Sequence, residues 1–177
     1  MRTGFANEKE YPPVTVKEAV IGENKRFMVT LVTHNFPKDK TDSSGIFIKN
    51  LWDIIDEEYE VVGHENFKSK NLFRYLWSGW RKLRRGKNLV VAYWIFPAGV
   101  LAYLSRRPYI LNCVGLDIFM IRDSKILSWI AIPILNRAKE LVFIGRHPRE
   151  VFEQIYGDRY RSKSQLIHLP VDSGRFC

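Results

Sequence analysis

Six short runs rich in β-branched and aromatic residues recur along this chain, and helix-like stretches separate them. The runs are Phe27 to Thr33, Tyr59 to Val62, Leu89 to Tyr93, Tyr109 to Cys113, Leu141 to Ile144 and Leu166 to Leu169. Strands that alternate with helices in this way predict an α/β domain, Rossmann-like and doubly wound, with a mainly parallel sheet and helices on both faces. Several runs are apolar throughout rather than alternating, as strands covered on both sides require. Between them, Phe47, Leu51 and Ile54 with Ile48, Trp52 and Ile55 form one helical stripe, and Val151, Phe152, Ile155 and Tyr156 form another. A helix is expected over Lys125 to Ala138, kinked at Pro133.

The chain has 177 residues, 46% of them hydrophobic, enough to bury one full core. The expected organisation is an N-terminal extension over residues 1–25, polar and carrying Pro12 and Pro13, followed by one domain over residues 26–177. The start lacks the basic, apolar and small-residue succession of a signal peptide, so a cytoplasmic location is expected. Cys113 and Cys177 form neither a disulfide framework nor a metal-ligand pattern, and the four histidines do not cluster, so no metal is expected. Asn88 to Ser105 is uncharged for eighteen residues, but Pro97 and Gly99 divide it into a strand and a short apolar helix rather than a membrane span.

Charge is concentrated. Between Asn66 and Leu116 lie ten of the 28 basic residues and none of the 19 acidic ones. Within that stretch Leu72, Leu76 and Leu83 fall on one helical face with Phe73, Trp77 and Trp80 alongside, while Arg74, Ser78, Arg81 and Arg85 lie opposite. A basic amphipathic helix with flanking tryptophans suits an anionic membrane surface, and the contact residues would be Arg74, Trp77, Trp80, Arg81, Lys82, Arg84 and Arg85. A core-packed helix with a solvated basic face has the same pattern. Gly79 is expected to weaken the helix.

In a doubly wound sheet, ligands sit beyond the carboxyl ends of the strands, which directs attention to residues 34–45, 94–99, 114–117 and 145–147. The first strand runs into Ser43, Ser44 and Gly45 and then a helix, Ile46 to Ile55. Free N–H groups and a positive dipole end at such a helix start can serve a polar ligand, and a glycine keeps no side chain in the way. An ordinary turn capped by Ser44 reads the same. His34 and Trp94 close the first and third strands, Asn112 lies near the end of the fourth, and Asp117 follows Gly115. Asp117 can bind a hydroxyl, act as a base, or cap the segment after it. No Ser/His/Asp or Cys/His set appears at a readable spacing.

Four segments in order resemble the N-terminal half of a GT-B glycosyltransferase, in particular glycosyltransferase family 4. They are Thr33-His34-Asn35-Phe36-Pro37 with Ser44-Gly45-Ile46-Phe47, then Trp94-Ile95-Phe96-Pro97-Ala98-Gly99, then Cys113-Val114-Gly115-Leu116-Asp117, and finally Leu166 to Phe176 with its Val171-Asp172-Ser173-Gly174-Arg175-Phe176 close. The resemblance implies an acceptor-binding domain forming one wall of a cleft, in an enzyme that transfers a sugar, with retention, from a nucleotide-sugar donor to a lipid-linked or glycan acceptor. It implies a donor site mainly in a second Rossmann-like domain, so that this chain looks like half of the active enzyme. It implies no cofactor or metal. Ser44, Gly45 and Gly115 would line the donor cleft, Asp42, His34, Trp94 and Asn112 would hold the acceptor, and Asp117 would be the catalytic candidate. Val114 departs from the family pattern, where many relatives carry a histidine. Peripheral attachment at the inner face of the membrane would fit lipid-linked acceptors. The competing expectation is a non-catalytic Rossmann-like module that binds anionic membrane or nucleic acid through residues 66–116. No nucleic-acid motif accompanies the tryptophans, so nucleic acid is not the expected partner.

Overall fold

A computed structural model of the chain describes residues 28–37, 45–55, 58–63 and 72–167. The strands are β1 (Val29–Val32), β2 (Tyr59–Val62), β3 (Leu89–Tyr93), β4 (Tyr109–Cys113), β5 (Glu140–Ile144) and β6 (Ser164–Ile167). The helices are α1 (Ile46–Ile55), α2 (Leu72–Arg85), α3 (Val100–Leu104), α4 (Leu116–Asp123), α5 (Lys125–Arg137) and α6 (Arg146–Tyr156). A wide π turn, Ile95–Gly99, joins β3 to α3, and a 3-10 segment, Gly157–Lys163, leads into β6. All six apolar runs contain a strand; the last begins two residues earlier than its apolar core suggests, at Ser164. The uncharged Asn88 to Ser105 stretch divides into β3, the π turn and α3, and among the described residues no helix is long and apolar enough to cross a membrane.

The strands form one sheet in the order β2-β1-β3-β4-β5-β6, and every pairing is parallel. A β-helix-β connection between parallel strands is right-handed. The chain steps from β1 outward to β2, then returns across β1 to β3 and continues the other way. The reversal sends α1 to one face and α2 to α6 to the other. Residue alternation along the strands agrees. Val29, Leu31, Val91, Tyr93, Ile110 and Val142 pack with Ile48 and Trp52 of α1. Val32, Val90, Ala92, Leu111, Cys113, Leu141 and Phe143 pack with Tyr75 and Leu83 of α2, Leu101 of α3, Ile118 of α4, Ile134 and Leu135 of α5, and Phe152 of α6. Each valine, leucine, isoleucine or phenylalanine among them contributes on the order of 1.5–3 kcal/mol through burial.

The α2 helix corrects the sequence reading. Its core side is Tyr75, Gly79 and Leu83; of the expected leucine face Leu83 is buried and Leu76 packs half-buried against the core, while Leu72 is exposed. Gly79 is there for contact rather than as a weak point. A Cβ at that position would come within 2.4 Å of the Leu101 Cδ2, so the missing side chain lets α2 settle onto α3. Pro133 lies inside α5, which continues through it to Arg137.

Candidate functional site

The loops leaving β1, β3, β4 and β5 share one end of the sheet. There β1 and β3 are neighbours, yet the helix after β1 packs on one face and the helices after β3 pack on the other. The two connections diverge and leave a crevice between them, the place where open α/β sheets hold ligands. The residues on its two sides are His34 and Trp94.

Trp94 is held in an unusual conformation. Its φ of 72° and ψ of 144° lie in a region that side chains with a Cβ rarely occupy. Its N–H donates to the Asn112 carbonyl at 2.9 Å and its own carbonyl accepts the Gly99 N–H at 3.0 Å, so the backbone is gripped on both sides. The indole ring lies 4.6 Å from the His34 imidazole and 6.1 Å from the Phe47 ring of α1. Beneath them Tyr93 is buried, and the Trp52 indole N–H donates to its hydroxyl at 2.8 Å. Burial lowers the pKa of His34 below its ordinary value, so the imidazole is neutral at pH 7. The β1 loop ahead of it is fastened locally: the Thr33 hydroxyl donates to the Asn35 carbonyl at 3.0 Å and accepts the Asn35 N–H at 3.1 Å.

Asp117 is buried, and its carboxylate holds backbone donors from two loops. One carboxylate oxygen accepts the Ile95 N–H at 2.9 Å and the other accepts the Gly115 N–H at 3.0 Å. Burial pushes its pKa up, and hydrogen bonds from the backbone N–H groups of Ile95, Gly115, Asp117 and Ile118 pull the other way. With both oxygens engaged by backbone donors, the carboxylate holds the loops that leave β3 and β4 together. This signal was present in the sequence, because an Asp two residues after Gly115 at a helix start suits capping.

The glycines at this end differ in kind. Gly45 has φ +67°, and a Cβ there would lie 2.2 Å from the Asn35 carbonyl oxygen. The bare side of Gly45 is therefore filled by the chain itself, so its lack of a side chain serves the meeting of the β1 loop with α1, where the sequence suggested access for a ligand. Gly115 has φ +135°, and a Cβ would meet only the Pro148 ring, at 3.5 Å. Backbone conformation rather than crowding calls for glycine there, since a Cβ would make only ordinary contact with Pro148. Asn112 is buried on β4 opposite Tyr93, with its carbonyl engaged by Trp94. His147 stacks against Phe119 at 5.6 Å. Asp42, Ser44 and the segment from His168 to Phe176 lie outside the described residues. Among the described residues no group of three or more His, Cys, Asp or Glu could hold a metal ion.

The basic helix presents a mixed surface. Phe73 is 80% and Trp77 57% exposed, and their rings are nearly parallel with centroids 6.5 Å apart. Trp80 is half-buried, donates its indole N–H to the Leu104 carbonyl at 3.2 Å and lies under the Arg84 guanidinium at 5.1 Å. Arg74, Arg81, Lys82, Arg84 and Arg85 are exposed. Aromatic and basic groups thus share the outward side, whereas the sequence reading set them on opposite sides.

The fold is that of a Rossmann-like α/β domain with a crevice at its topological switch point. Comparison of the chain with protein-family models and with curated proteins found no match.

Proposed function

We propose that this domain binds the acceptor in a GT-B glycosyltransferase and forms one wall of the cleft in which a nucleotide sugar gives up its sugar. The observation that carries the reading is the paired His34 and Trp94 at the switch point, with Trp94 held in a strained conformation by Asn112 and Gly99. Backbone strain of this kind concentrates at ligand sites, where the surrounding structure holds it in place. The resemblance to glycosyltransferase family 4 falls on the same loops and supports the same ligand class.

In this reading an acceptor hydroxyl attacks the anomeric carbon as the nucleoside diphosphate departs with the electron pair of the old bond and its phosphate oxygen takes up the hydroxyl proton. Trp94 offers an apolar surface to an acceptor ring, and the neutral His34 imidazole can accept or donate a hydrogen bond at a hydroxyl. A second Rossmann-like domain would hold most of the nucleotide. The outward side of α2 fits peripheral attachment to the anionic inner face of a membrane, where lipid-linked acceptors are found.

The test is transfer of labelled sugar from uridine and guanosine diphosphate donors to polyprenyl-phosphate-linked or glycan acceptors by the full reading frame. The expected result is incorporation that falls at least about tenfold in His34→Ala and Trp94→Ala while both variants stay folded. The exposed Phe73 and Trp77 among arginines favour one other reading, a non-catalytic module on an anionic surface. Vesicle binding without transfer from any donor would select it.

A further inference from the structure

The sequence reading assigned no surface role to α5, yet this helix is apolar on two opposite sides. Ala131, Ile134 and Leu135 face the sheet and are buried. On the outward side Ile126 is 72% and Trp129 75% exposed, and Ile130 and Pro133 are exposed beside them. Positions 126, 129, 130 and 133 follow helical spacing, so they form one continuous stripe. A helix apolar all round is one that something else covers. The stripe begins beside Lys125 and ends beside Arg137, both exposed.

The stripe belongs to a larger surface. Helices α2, α3 and α5 pack on the same face of the sheet and turn their buried sides to it, so their exposed sides point the same way. Helix α3 lies between the other two: the Trp80 indole reaches the Leu104 carbonyl from α2, and the Arg137 guanidinium reaches the Tyr103 carbonyl from α5, at 3.2 Å each. The outer surface of this layer carries Phe73 and Trp77 at one side, Leu104 in the middle and Ile126, Trp129 and Ile130 at the other. Positive charge predominates. From Leu72 to Lys139 the chain has twelve basic residues and two acidic ones. Of those two, Asp117 is buried and Asp123 is paired with Arg122 at 2.8 Å.

We infer that the outer surface of the α2-α3-α5 layer is a single membrane-contact face, in which the α5 stripe enters the lipid while the arginines of α2 hold anionic headgroups. This rests on the membrane attachment proposed above and adds the part of it that charge alone does not supply. The occupant must be apolar where α5 meets it and anionic where α2 meets it. An anionic bilayer has both properties across one plane, and tryptophan is favoured at its interface. The two contributions differ in their response to salt. Headgroup attraction is screened within a Debye length of about 10 Å at 0.1 M salt and about 3 Å at 1 M, whereas burial of Ile126 and Trp129 in lipid is not screened.

The experiment is cosedimentation of the chain with 3:1 phosphatidylcholine–phosphatidylglycerol vesicles at low and high salt. Three proteins are compared: the parent, the α5 variant I126E/W129E and the α2 variant R81E/R84E/R85E. Both variant sets lie at exposed positions, and circular dichroism checks that they fold. The parent is expected to keep measurable binding in high salt. The α5 variant should bind at least about tenfold more weakly and lose binding entirely in high salt. An α5 variant that matches the parent at both salt concentrations overturns the inference and leaves attachment through α2 alone. A parent that dimerises through this stripe, becoming monomeric in I126E/W129E with vesicle binding unchanged, overturns it in favour of a second copy. A parent that binds no vesicles overturns both this inference and peripheral attachment, while the sugar-transfer assay decides the catalytic reading separately.

Discussion

The Asp117 carboxylate accepts the backbone N–H of Ile95 at 2.9 Å, so the loop that leaves β4 is tied to the loop that leaves β3, which forms one side of the crevice. The same side chain accepts the N–H of Gly115, which places one acidic group at the meeting of two strand ends. Replacing Asp117 with alanine leaves these buried donors without their acceptor. The expected loss of stability is about 2–4 kcal/mol, read from urea unfolding. A catalytic carboxylate with no structural role would instead leave the unfolding midpoint where it was.

Gly45 and Asn35 set a second expectation. With φ +67° at Gly45 and the Asn35 carbonyl in the space a Cβ would enter, Gly45→Ala has no strain-free solution. Thermal unfolding should show a loss of roughly 2 kcal/mol or more. Wild-type stability in the alanine variant would mean that the β1 loop and α1 do not meet closely in solution.

At Trp94 the usual order of alanine and glycine should reverse. Both substitutions remove the indole and its contacts with His34 and Phe47. Only glycine adopts φ 72° and ψ 144° without strain. Trp94→Gly is therefore expected to be more stable than Trp94→Ala by about 1 kcal/mol in chemical denaturation. Equal stabilities would argue that the backbone relaxes once the indole is gone.

His34 predicts a pH dependence. Burial lowers its folded-state pKa below the ordinary 6.5, so the unfolded chain takes up a proton more readily than the folded one. The stabilising contribution is complete above 6.5 and is lost as pH falls from there through the lower folded value. Between pH 7.5 and 5.5 the wild-type melting temperature should drop further than that of His34→Gln. Parallel curves for the two proteins would show that this imidazole is not the group responsible.

The sheet was legible because its strands are apolar on both sides, and period and composition then point to the same segments. The turn from β1 into α1 was legible as a local unit, but the reason for Gly45 was not, because it depends on where the Asn35 carbonyl comes to lie. The facing of helix α2 was legible only in part, since Leu83 is buried but Leu72 is exposed. Leucine marks a core position by hydropathy alone, whereas Tyr75 is buried despite its hydroxyl and Gly79 because Leu101 needs its space. Trp80 likewise goes half inside because its indole N–H finds the Leu104 carbonyl. The pairing of His34 with Trp94 was hidden for a similar reason. Each stood out as a strand-end residue, but their adjacency follows from β1 and β3 being neighbours, a fact of strand order rather than of any local pattern. The outward stripe of α5 had a sequence signal, an apolar helix without a polar side, but periodicity does not say which of two apolar sides is covered.

Strand order also fixes a timetable for synthesis. In the register Val29↔Leu89, β1 waits for a partner sixty residues later in the chain, and until then its one sheet neighbour is the four-residue β2. A two-stranded parallel pair of that length does not hold on its own. As the ribosome works through the intervening segment, an apolar strand is already made while the arginine-rich stretch that follows is still emerging. The sheet can close around β1 only once β3 has been made, so its central pairing is among the late, long-range contacts of folding.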